Sequence, residues 1–581
     1  MLLVDDLFER GDAGFVAALR AVSHPKLLAA FAERWGRDPR PWARQQLFAY
    51  LEQPLDCIGH QPLVKRLYKA TEARGDLELL AAFLVAFDVL IRRVRVMRWR
   101  YDRTTRQSLT YEELTPRRDA LPREVGSVER EKRSGDLIVT SAKGARIRRG
   151  LLFTHRTRQY LRRRVWRQFR RLAHREPQRY VEAILPALRR YRDADLQRAE
   201  NMLDSAVLLD ICHHGSPVLA FGRIHVSITP GRSLAQLQPS PRFPELWKGP
   251  EVGLRVFGLI GSARSKFVRL WAMALYGLIR EASPFEVPAA ELLALLDHPD
   301  EAVQAFAAGR LAGHQGLGVV DLATWLRLLR SRNLTALVHL CDAFGRHVAP
   351  SRLSLRDCVE LACQPPVPVA RLGLGLLKAR SISRAELPEV ARLAEATCPS
   401  VAPDLAAWAL PLVMKEGDYS ADLLCRFLDS LQQPVRAAAC AALVPGTAAH
   451  ADPLLWSRLA ESPFSDIREW LVDKLSRRSL GAIPPADQLE PVWCSVLLGV
   501  HRGGRSKPKA IRALAEAIGE EPARATRLLP VLGVAVRSVR GPEMRAGLSA
   551  VLALRVRRPE LAGQIASLLP ELRFAAGEGV A

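Results

Sequence analysis

Residues 292–311 read LLALLDHPDEAVQAFAAGRL, a stretch that predicts two helices joined by a tight turn. The leucine-rich segment 292–296 gives the first helix a broad apolar side. Pro299 disfavours helix at the preceding residue, so the first helix should end there. Asp300 can then cap a second helix. In that helix the apolar residues recur at helical spacing: Val303, Phe306, Ala307 and Leu311.

The apolar position of Val303 recurs along the chain at intervals of 30–36 residues, with one interval of 44. The matching positions are Val268, Val303, Leu334, Val369, Leu405, Val435, Ile467, Ile511 and Met544. This period is typical of solenoids built from paired helices. Arginine follows the apolar residue at five positions: 268, 435, 467, 511 and 544. An acidic residue precedes it by six places at Asp297, Asp429 and Glu461, so we interpret these acids and arginines as ladders between neighbouring repeats.

The apolar–arginine pairs and acidic turn residues resemble the HEAT repeat family over about residues 255–560. In that family an acidic turn residue and a valine–arginine pair mark the second helix of each repeat. The resemblance implies an all-α fold, a right-handed α-solenoid of HEAT-like helix pairs, and a surface that holds protein partners.

The composition of the 581-residue chain favours close-packed helices, since hydrophobic residues make up 48% and aromatic residues only 7%. The nine cysteines are scattered singly, which argues against a secreted disulfide framework. The N-terminus lacks the basic segment and long apolar core of a signal peptide. The most apolar stretch, 79–87, is shorter than the ~20 residues that a membrane span needs. We therefore expect a cytoplasmic protein with no membrane contact.

The sequence predicts five parts. Residues 1–98 form an N-terminal helical region, and 99–154 form a basic and mixed-charge linker or insertion, with irregular structure and a short strand near 137–140. Residues 155–250 form an Arg-rich helical segment that ends in a short β-like joint. Residues 251–573 form the HEAT-like array, and 574–581 form a flexible tail.

The positive charge of the chain is concentrated in two segments. The formal net charge is +24, with a pI near 10.2. Residues 143–175 contain 13 basic and no acidic residues, and residues 91–106 contain seven arginines and one acid. Because these two segments hold most of the excess charge, an anionic partner should bind there rather than over the whole surface.

The helix predicted in the first of these segments reads THRTRQYLRRRVWRQFRRLAHREP over 154–177. Its apolar stripe comprises Leu161, Val165, Phe169 and Leu172, and most arginines lie on the opposite side. Such a face can bind phosphates through arginine, with aromatic rings stacking on bases. The predicted nucleic-acid-binding residues are Arg156, Tyr160, Arg163, Arg164, Trp166, Arg167, Arg170 and Arg171. The alternatives are a solvated helix face, arginines that pair with acids on neighbouring helices, and an acidic protein partner.

Two further clusters are weaker. The segment 499–507, GVHRGGRSK, lacks the residue order of a phosphate loop and is interpreted as a basic connection between helices. Its neighbourhood offers a secondary anion patch of Arg502, Arg505, Lys507 and Lys509. Cys212, His213 and His214 are consecutive, and adjacent histidines on a helix point apart, so we expect a helix end with one buried ring and no metal.

No catalytic motif stands out in the sequence, and none implies a cofactor or a small-molecule substrate. The favoured hypothesis is a non-enzymatic HEAT-repeat scaffold or adaptor that assembles protein partners and contacts nucleic-acid backbone through the Arg-rich helix. One alternative is a DNA repair enzyme similar to the HEAT-like alkylpurine DNA glycosylases, which would collect Trp, Asp and Arg in one pocket. The other is a purely protein-binding subunit with an acidic partner.

Overall fold

The computed structural model describes residues 2–104, 106–116, 125–130, 137–141, 146–147, 153–222, 225–476, 497 and 506–572. Over these residues the fold is all-α, with many helices and few strands. In this part of the chain no helix combines the length and the apolar character required to cross a membrane. The chain divides into two compact units, Met1–Arg310 and Leu311–Ala581. The predicted start of the repeat array at residue 251 lies inside the first unit.

The first unit is built mainly from short and medium helices. They are α1 (Leu2–Arg10), α2 (Phe15–Ala21), α3 (Pro25–Arg37), α4 (Pro41–Leu51), α5 (Gln61–Arg74), α6 (Leu77–Val89), α7 (His155–Arg175), α8 (Pro177–Arg190), α9 (Asp193–Leu196), α10 (Ala199–Asp204), α11 (Ala206–His213), α12 (Pro250–Ser262), α13 (Lys266–Ala282), α14 (Ala289–Leu295) and α15 (Glu301–Leu311). Two 3₁₀ turns, Leu234–Gln236 and Pro244–Trp247, lie in the joint between α11 and α12.

Helix α6 forms the core of the first unit. It starts at a joint where Gly75 adopts a left-handed φ of 66° and ends α5, and Asp76 then caps α6 by accepting a hydrogen bond from the Leu79 amide at 3.0 Å. All residues from Leu79 to Asp88 are buried. A helix that is apolar on every side must be surrounded, and α6 contacts α4, α5, α7, α8 and α11.

Short antiparallel strands interrupt the helices of the first unit. Strand β1 (Arg93–Asp102) pairs with β2 (Gln107–Pro116), and β3 (Val125–Arg130), β4 (Leu137–Ser141) and β5 (Arg146–Ile147) form a second sheet. Strands β6 (Leu219–Phe221) and β7 (Val226–Ile228) pair in the joint before α12. The predicted strand at 137–140 is therefore confirmed. The N-terminal helical region ends at Val89, not at residue 98, because the alternating sequence from Arg93 onward forms β1.

The second unit contains α16 (Leu322–Leu328), α17 (Leu334–His347), α18 (Leu355–Ala362), α19 (Val367–Lys378), α20 (Leu387–Val390), α21 (Ala402–Val413), α22 (Ala421–Leu428), α23 (Gln433–Ala442), α24 (Ala448–Ala451), α25 (Pro453–Glu461), α26 (Ser465–Ser476), α27 (Ser506–Glu520), α28 (Ala525–Val536), α29 (Gly541–Arg557) and α30 (Ala562–Leu568). Alternate helices pack on one another, as α17 does on α19 and α21 on α23, and α23 also packs on α26. Neighbouring helices such as α18 and α19 also pack together.

Most of the recurring apolar positions are buried, Val303, Val435 and Ile467 among them. Leu334 and Met544 are exceptions, because both side chains are exposed. In each case a residue three places later takes the buried position, Leu337 in α17 and Gly547 in α29. A Cβ atom at Gly547 would lie 2.8 Å from the backbone nitrogen of Val536, so two helices approach closely there.

Two of the five predicted ladder arginines bind aspartates within the described residues. The Arg269 Nε donates to Asp300 Oδ2 at 2.8 Å, and the Arg436 Nε lies 2.9 Å from Asp466 Oδ2. Each arginine also donates through Nη1 to a backbone carbonyl six residues earlier in the chain. The acids in these pairs differ from the predicted Asp297, Asp429 and Glu461, because they stand at the start of the second helix rather than in the preceding turn.

Candidate nucleic-acid interface

The basic helix α7 is anchored in the first unit by its apolar side. The Thr154 hydroxyl caps its N-terminus by accepting a hydrogen bond from the Thr157 amide at 3.3 Å. The helix packs against α6 and α8. Leu161, Val165 and Phe169 are at most 1% exposed, which confirms these three positions of the predicted apolar stripe, whereas Leu172 is only half-buried.

The opposite side of α7 carries exposed residues that we call the arginine stripe: Arg156, Tyr160, Arg163, Arg167 and Arg171. In an ideal helix they fall within an arc of roughly 80° and extend over roughly 22 Å. Among the described residues, none of these four arginines forms an ion pair with a carboxylate. The Arg163 Nε donates to a carbonyl of its own helix, that of Gln159. The stripe therefore presents positive charge to solvent.

Arg164, which was predicted to bind nucleic acid, is held by a carboxylate of α5. Its Nε donates to Glu72 Oε1 at 3.3 Å, and its Nη1 donates to the Tyr160 hydroxyl at 2.7 Å. Burial opposes ionisation of Glu72, but hydrogen bonds from Arg164, Gln168 and Tyr68 outweigh it and lower the pKa of this carboxyl. Arg164 therefore positions Tyr160 at the edge of the arginine stripe.

Trp166 lies on the inner side of α7 and is only 7% exposed. Its indole Nε1 donates to Asp210 Oδ2 of α11 at 2.6 Å. Asp210 also accepts from His214 Nδ1 at 2.6 Å and from Arg242 Nη1 at 2.8 Å. We call these four residues the Asp210 cluster. Because the indole ring is covered by protein, we leave Trp166 out of the proposed stacking surface.

Arg170 lies beside the Asp210 cluster and is half-buried. Among the described residues, neither its buried Nε nor the buried Nε of Arg242 has a hydrogen-bond partner. Burial lowers the pKa of Arg170, and the positive charge of Arg242 lowers it further. Arg170 therefore contributes to the positive potential beneath the arginine stripe, although its guanidinium is only partly accessible.

Two arginines of α7 that the sequence did not single out point into the unit, Arg158 and Arg162. The Arg158 Nη1 donates to the Leu90 carbonyl at 3.3 Å. The Arg162 Nη1 donates to the Asp204 carbonyl at 3.1 Å and lies 3.6 Å from Asp88 Oδ1. Both side chains are buried, so they stabilise the core and do not contribute to the accessible surface.

Asp88 is a fully buried carboxylate at the end of α6. It accepts hydrogen bonds from the backbone amides of Val207 at 3.1 Å and Leu208 at 3.2 Å, where α11 begins. The Tyr191 hydroxyl donates to it at 2.9 Å. Burial raises the pKa of Asp88, while Arg162 and the two amides oppose this shift, so Asp88 is a hydrogen-bonded cap that joins α6, α7 and α11.

A second exposed surface lies on strand β1, where Met97, Trp99 and Tyr101 occupy alternate positions. We call these three residues the aromatic row. Trp99 is 66% exposed and Tyr101 is 48% exposed, and their ring centroids lie 6.5 Å apart. In the sequence only the arginines of this segment stand out. The alternation of residues along RVRVMRWRY is the signal that could have revealed the strand.

The secondary anion patch is only partly visible, since Arg502 and Arg505 lie outside the described residues. Lys507 is buried, with its Nζ 3.4 Å from Glu543 Oε1. The Lys509 Nζ lies 3.0 Å from Asp473 Oδ1 at the surface. Both lysines therefore have carboxylate partners within the protein.

The Cys-His-His run lies at the end of α11, as expected for a helix end with one buried ring. Cys212 and His213 are buried, and burial raises the pKa of the thiol and lowers the pKa of the His213 ring. His213 Nδ1 contacts the Gln238 carbonyl at 2.8 Å. In the part of the chain that the structure describes, no group of His, Cys, Asp and Glu is arranged to hold a metal ion.

A cavity of about 560 Å³ opens beside α6, with apolar walls from residues such as Val85 and Val89. Glu52 at its rim accepts hydrogen bonds from Arg190 at 3.3 Å and from Arg192 at 3.1 Å. The cavity lining combines three carboxylates with four arginines, so it carries less excess positive charge than the arginine stripe and is a weaker anion site.

No protein-family model matches the chain, and no curated protein matches it in sequence.

Proposed function

We propose that this protein is a non-enzymatic scaffold of the HEAT-like repeat type, which assembles protein partners and contacts nucleic-acid backbone through α7. The proposal for the scaffold is supported by the buried recurring positions, by the Arg269–Asp300 and Arg436–Asp466 pairs, and by the packing of alternate helices in the second unit. In a solenoid each repeat contacts its neighbours, which leaves an extended surface for partners.

The observation that carries the nucleic-acid part is the arginine stripe. Arginine binds phosphate through forked donors, and each contact releases a counterion, so affinity follows charge rather than base sequence. The apolar side of α7 anchors the helix, which leaves the stripe accessible without disturbing the core. Tyr160, which Arg164 holds at the edge of the stripe, supplies one ring that can stack on a base.

The Asp210 cluster bears on the alternative of an enzyme similar to the HEAT-like alkylpurine DNA glycosylases. It does bring Trp166, Asp210 and Arg242 together. However, the Trp166 ring is buried, and Asp210 accepts hydrogen bonds from three side chains, so neither is positioned to meet an extruded base. For this reason we propose the scaffold in preference to the glycosylase.

The test is the salt dependence of binding to short DNA and RNA, single- and double-stranded, measured by fluorescence anisotropy. If four phosphates contact the stripe, the logarithm of the affinity for duplex DNA should fall with the logarithm of salt concentration with a slope of about 3.6. The variant Arg163→Glu/Arg167→Glu/Arg171→Glu should bind at least roughly tenfold more weakly at low salt, because it reverses three exposed charges.

The matched control is Arg330→Glu/Arg371→Glu/Arg426→Glu, which makes the same change of net charge at exposed positions of the second unit. It should bind like the wild type. If both triple variants lose equal affinity, binding depends on total charge and not on the stripe. If the wild type binds no nucleic acid even at low salt, an acidic protein partner becomes the better hypothesis for α7.

A further inference from the structure

The β1–β2 hairpin exposes flat rings on one face. Trp99 and Tyr101 stand directly opposite Thr110 and Ser108 of β2, which are small, so neither ring is covered from the neighbouring strand. Met97 continues the row and is 64% exposed. Exposing a row of large apolar side chains to water on an open sheet face costs free energy. Such a row marks a surface that a partner covers.

The geometry of the two rings suits planar ligands. Their centroids lie 6.5 Å apart, and the ring planes are inclined by 30°. This separation is close to twice the ~3.4 Å rise per base of a nucleic-acid strand. Every base offers a π-face, so rings at this spacing, which leaves room for one base between them, can stack on an unpaired base without reading its sequence.

The charge of the hairpin complements a phosphate backbone. Arg98 and Arg100 alternate with the rings on the other face of β1, and Arg103 and Arg106 lie in the turn, all four exposed. The carboxylate of Asp102 accepts a hydrogen bond from the Thr104 amide at 2.8 Å and so serves to shape this turn. The turn arginines Arg103 and Arg106 follow Tyr101 in the chain, and rings for bases beside cations for phosphates are the pairing that single-strand binders use.

We propose that the aromatic row binds unpaired bases, so that the hairpin captures single-stranded nucleic acid while the arginine stripe holds backbone. This inference rests on the proposed nucleic-acid function and specifies its ligand class. Duplex DNA hides the faces of its bases, and it should therefore bind through the stripe alone.

The experiment compares three fluorescently labelled ligands of equal length with the full-length protein: oligo-dT, the same strand with abasic sites in place of bases, and a duplex. The wild type should bind oligo-dT at least about tenfold more tightly than the abasic strand, because stacking adds to phosphate contacts. Trp99→Ala/Tyr101→Ala should lower the affinity for oligo-dT to that for the abasic strand. Its affinity for the duplex should stay unchanged.

Two variants control for the integrity of the hairpin. Tyr111→Ala removes an exposed ring from the other strand, opposite Arg98, and should leave the preference for oligo-dT intact. Trp99→Phe/Tyr101→Phe keeps two stacking rings and should restore most of that preference.

The outcomes separate this inference from the function on which it rests. If the wild type binds oligo-dT and the abasic strand equally, the aromatic row does not stack on bases, while backbone binding by the stripe stands. If it binds none of the three ligands, both proposals fail. If Trp99→Ala/Tyr101→Ala abolishes self-association in sedimentation and leaves binding unchanged, the row contacts a second copy of the chain and the inference is overturned.

Discussion

At the scale of single residues, His60 shows how burial selects a protonation state. Its Nδ1 lies 2.9 Å from the Tyr50 hydroxyl and its Nε2 lies 2.8 Å from the Val22 carbonyl. A neutral ring satisfies both contacts, with Nε2 as donor and Nδ1 as acceptor. Burial lowers the pKa of His60 to about 4, against about 6.5 in an unfolded chain.

This shift predicts a loss of stability in mild acid. Between pH 6.5 and about 4 the unfolded chain binds the His60 proton and the native protein does not, so the free energy of unfolding should fall as pH falls, by up to roughly 3 kcal/mol. The measurement is urea unfolding at pH 7 and pH 4.5, compared with His60→Gln. The variant should be less sensitive to pH than the wild type, and equal sensitivity would contradict this account.

Residue by residue, the sequence predicted the part of α7 that depends on spacing alone. The stripe of Leu161, Val165 and Phe169 is buried as the helical period requires. The inward direction of Trp166 and Arg162 could not be predicted, because their partners come from α6 and α11, far along the chain. The residues adjacent to an arginine in the sequence do not reveal whether it will pair with a buried carboxylate.

At the scale of elements, the Arg436–Asp466 pair joins α23 to the start of α26. The Arg436 side chain is 9% exposed and that of Asp466 is 32% exposed. Asp466→Asn would leave a buried guanidinium without its counter-charge, which should cost roughly 2–4 kcal/mol. Arg436→Met should cost less, because Asp466 can be solvated. The comparison is the midpoint of urea unfolding for both variants.

The control for this pair is Asp422→Asn, which removes the counter-charge of the exposed Arg458. Surface pairs contribute little, so this change should stay within roughly 1 kcal/mol. If Arg436→Met lowers the midpoint of urea unfolding more than Asp466→Asn does, the loss of stability does not come from a buried arginine without its counter-charge.

Among the elements, helices were easier to predict than the β1–β2 hairpin. Helical spacing persists over many residues, so the helical character of most of the chain is visible in the sequence. In β1 the apolar residues change faces, with Val94 and Val96 at even positions and Met97, Trp99 and Tyr101 at odd ones. Dense arginine obscured this alternation, and the segment was assigned to the end of a helical region and a linker.

At the scale of the whole molecule, the scaffold proposal predicts two separable sets of partners. Tagged protein isolated from a lysate at low salt should retain nucleic acid, seen as raised absorbance at 260 nm, together with proteins. Nuclease treatment should remove the nucleic acid and leave the direct protein partners bound. If every protein partner leaves with the nucleic acid, the protein is a nucleic-acid binder and not an assembly scaffold.

The division of the chain was less predictable than its fold class. The all-α prediction follows from composition and spacing over hundreds of residues. The unit boundary at Arg310 depends on contacts between distant helices. The repeat pattern starts near residue 268, so the sequence offers no composition change at 310 that would mark the division.

The buried carboxylate of Asp88 has a consequence for how the chain is made. Its backbone partners at Val207 and Leu208 lie 119 and 120 residues later, so they leave the ribosome roughly 6–24 s after it. Until then α6 cannot bury its last turn without the cost of an unpaired polar group. Final burial of this end of α6 should therefore wait until α11 has been synthesised.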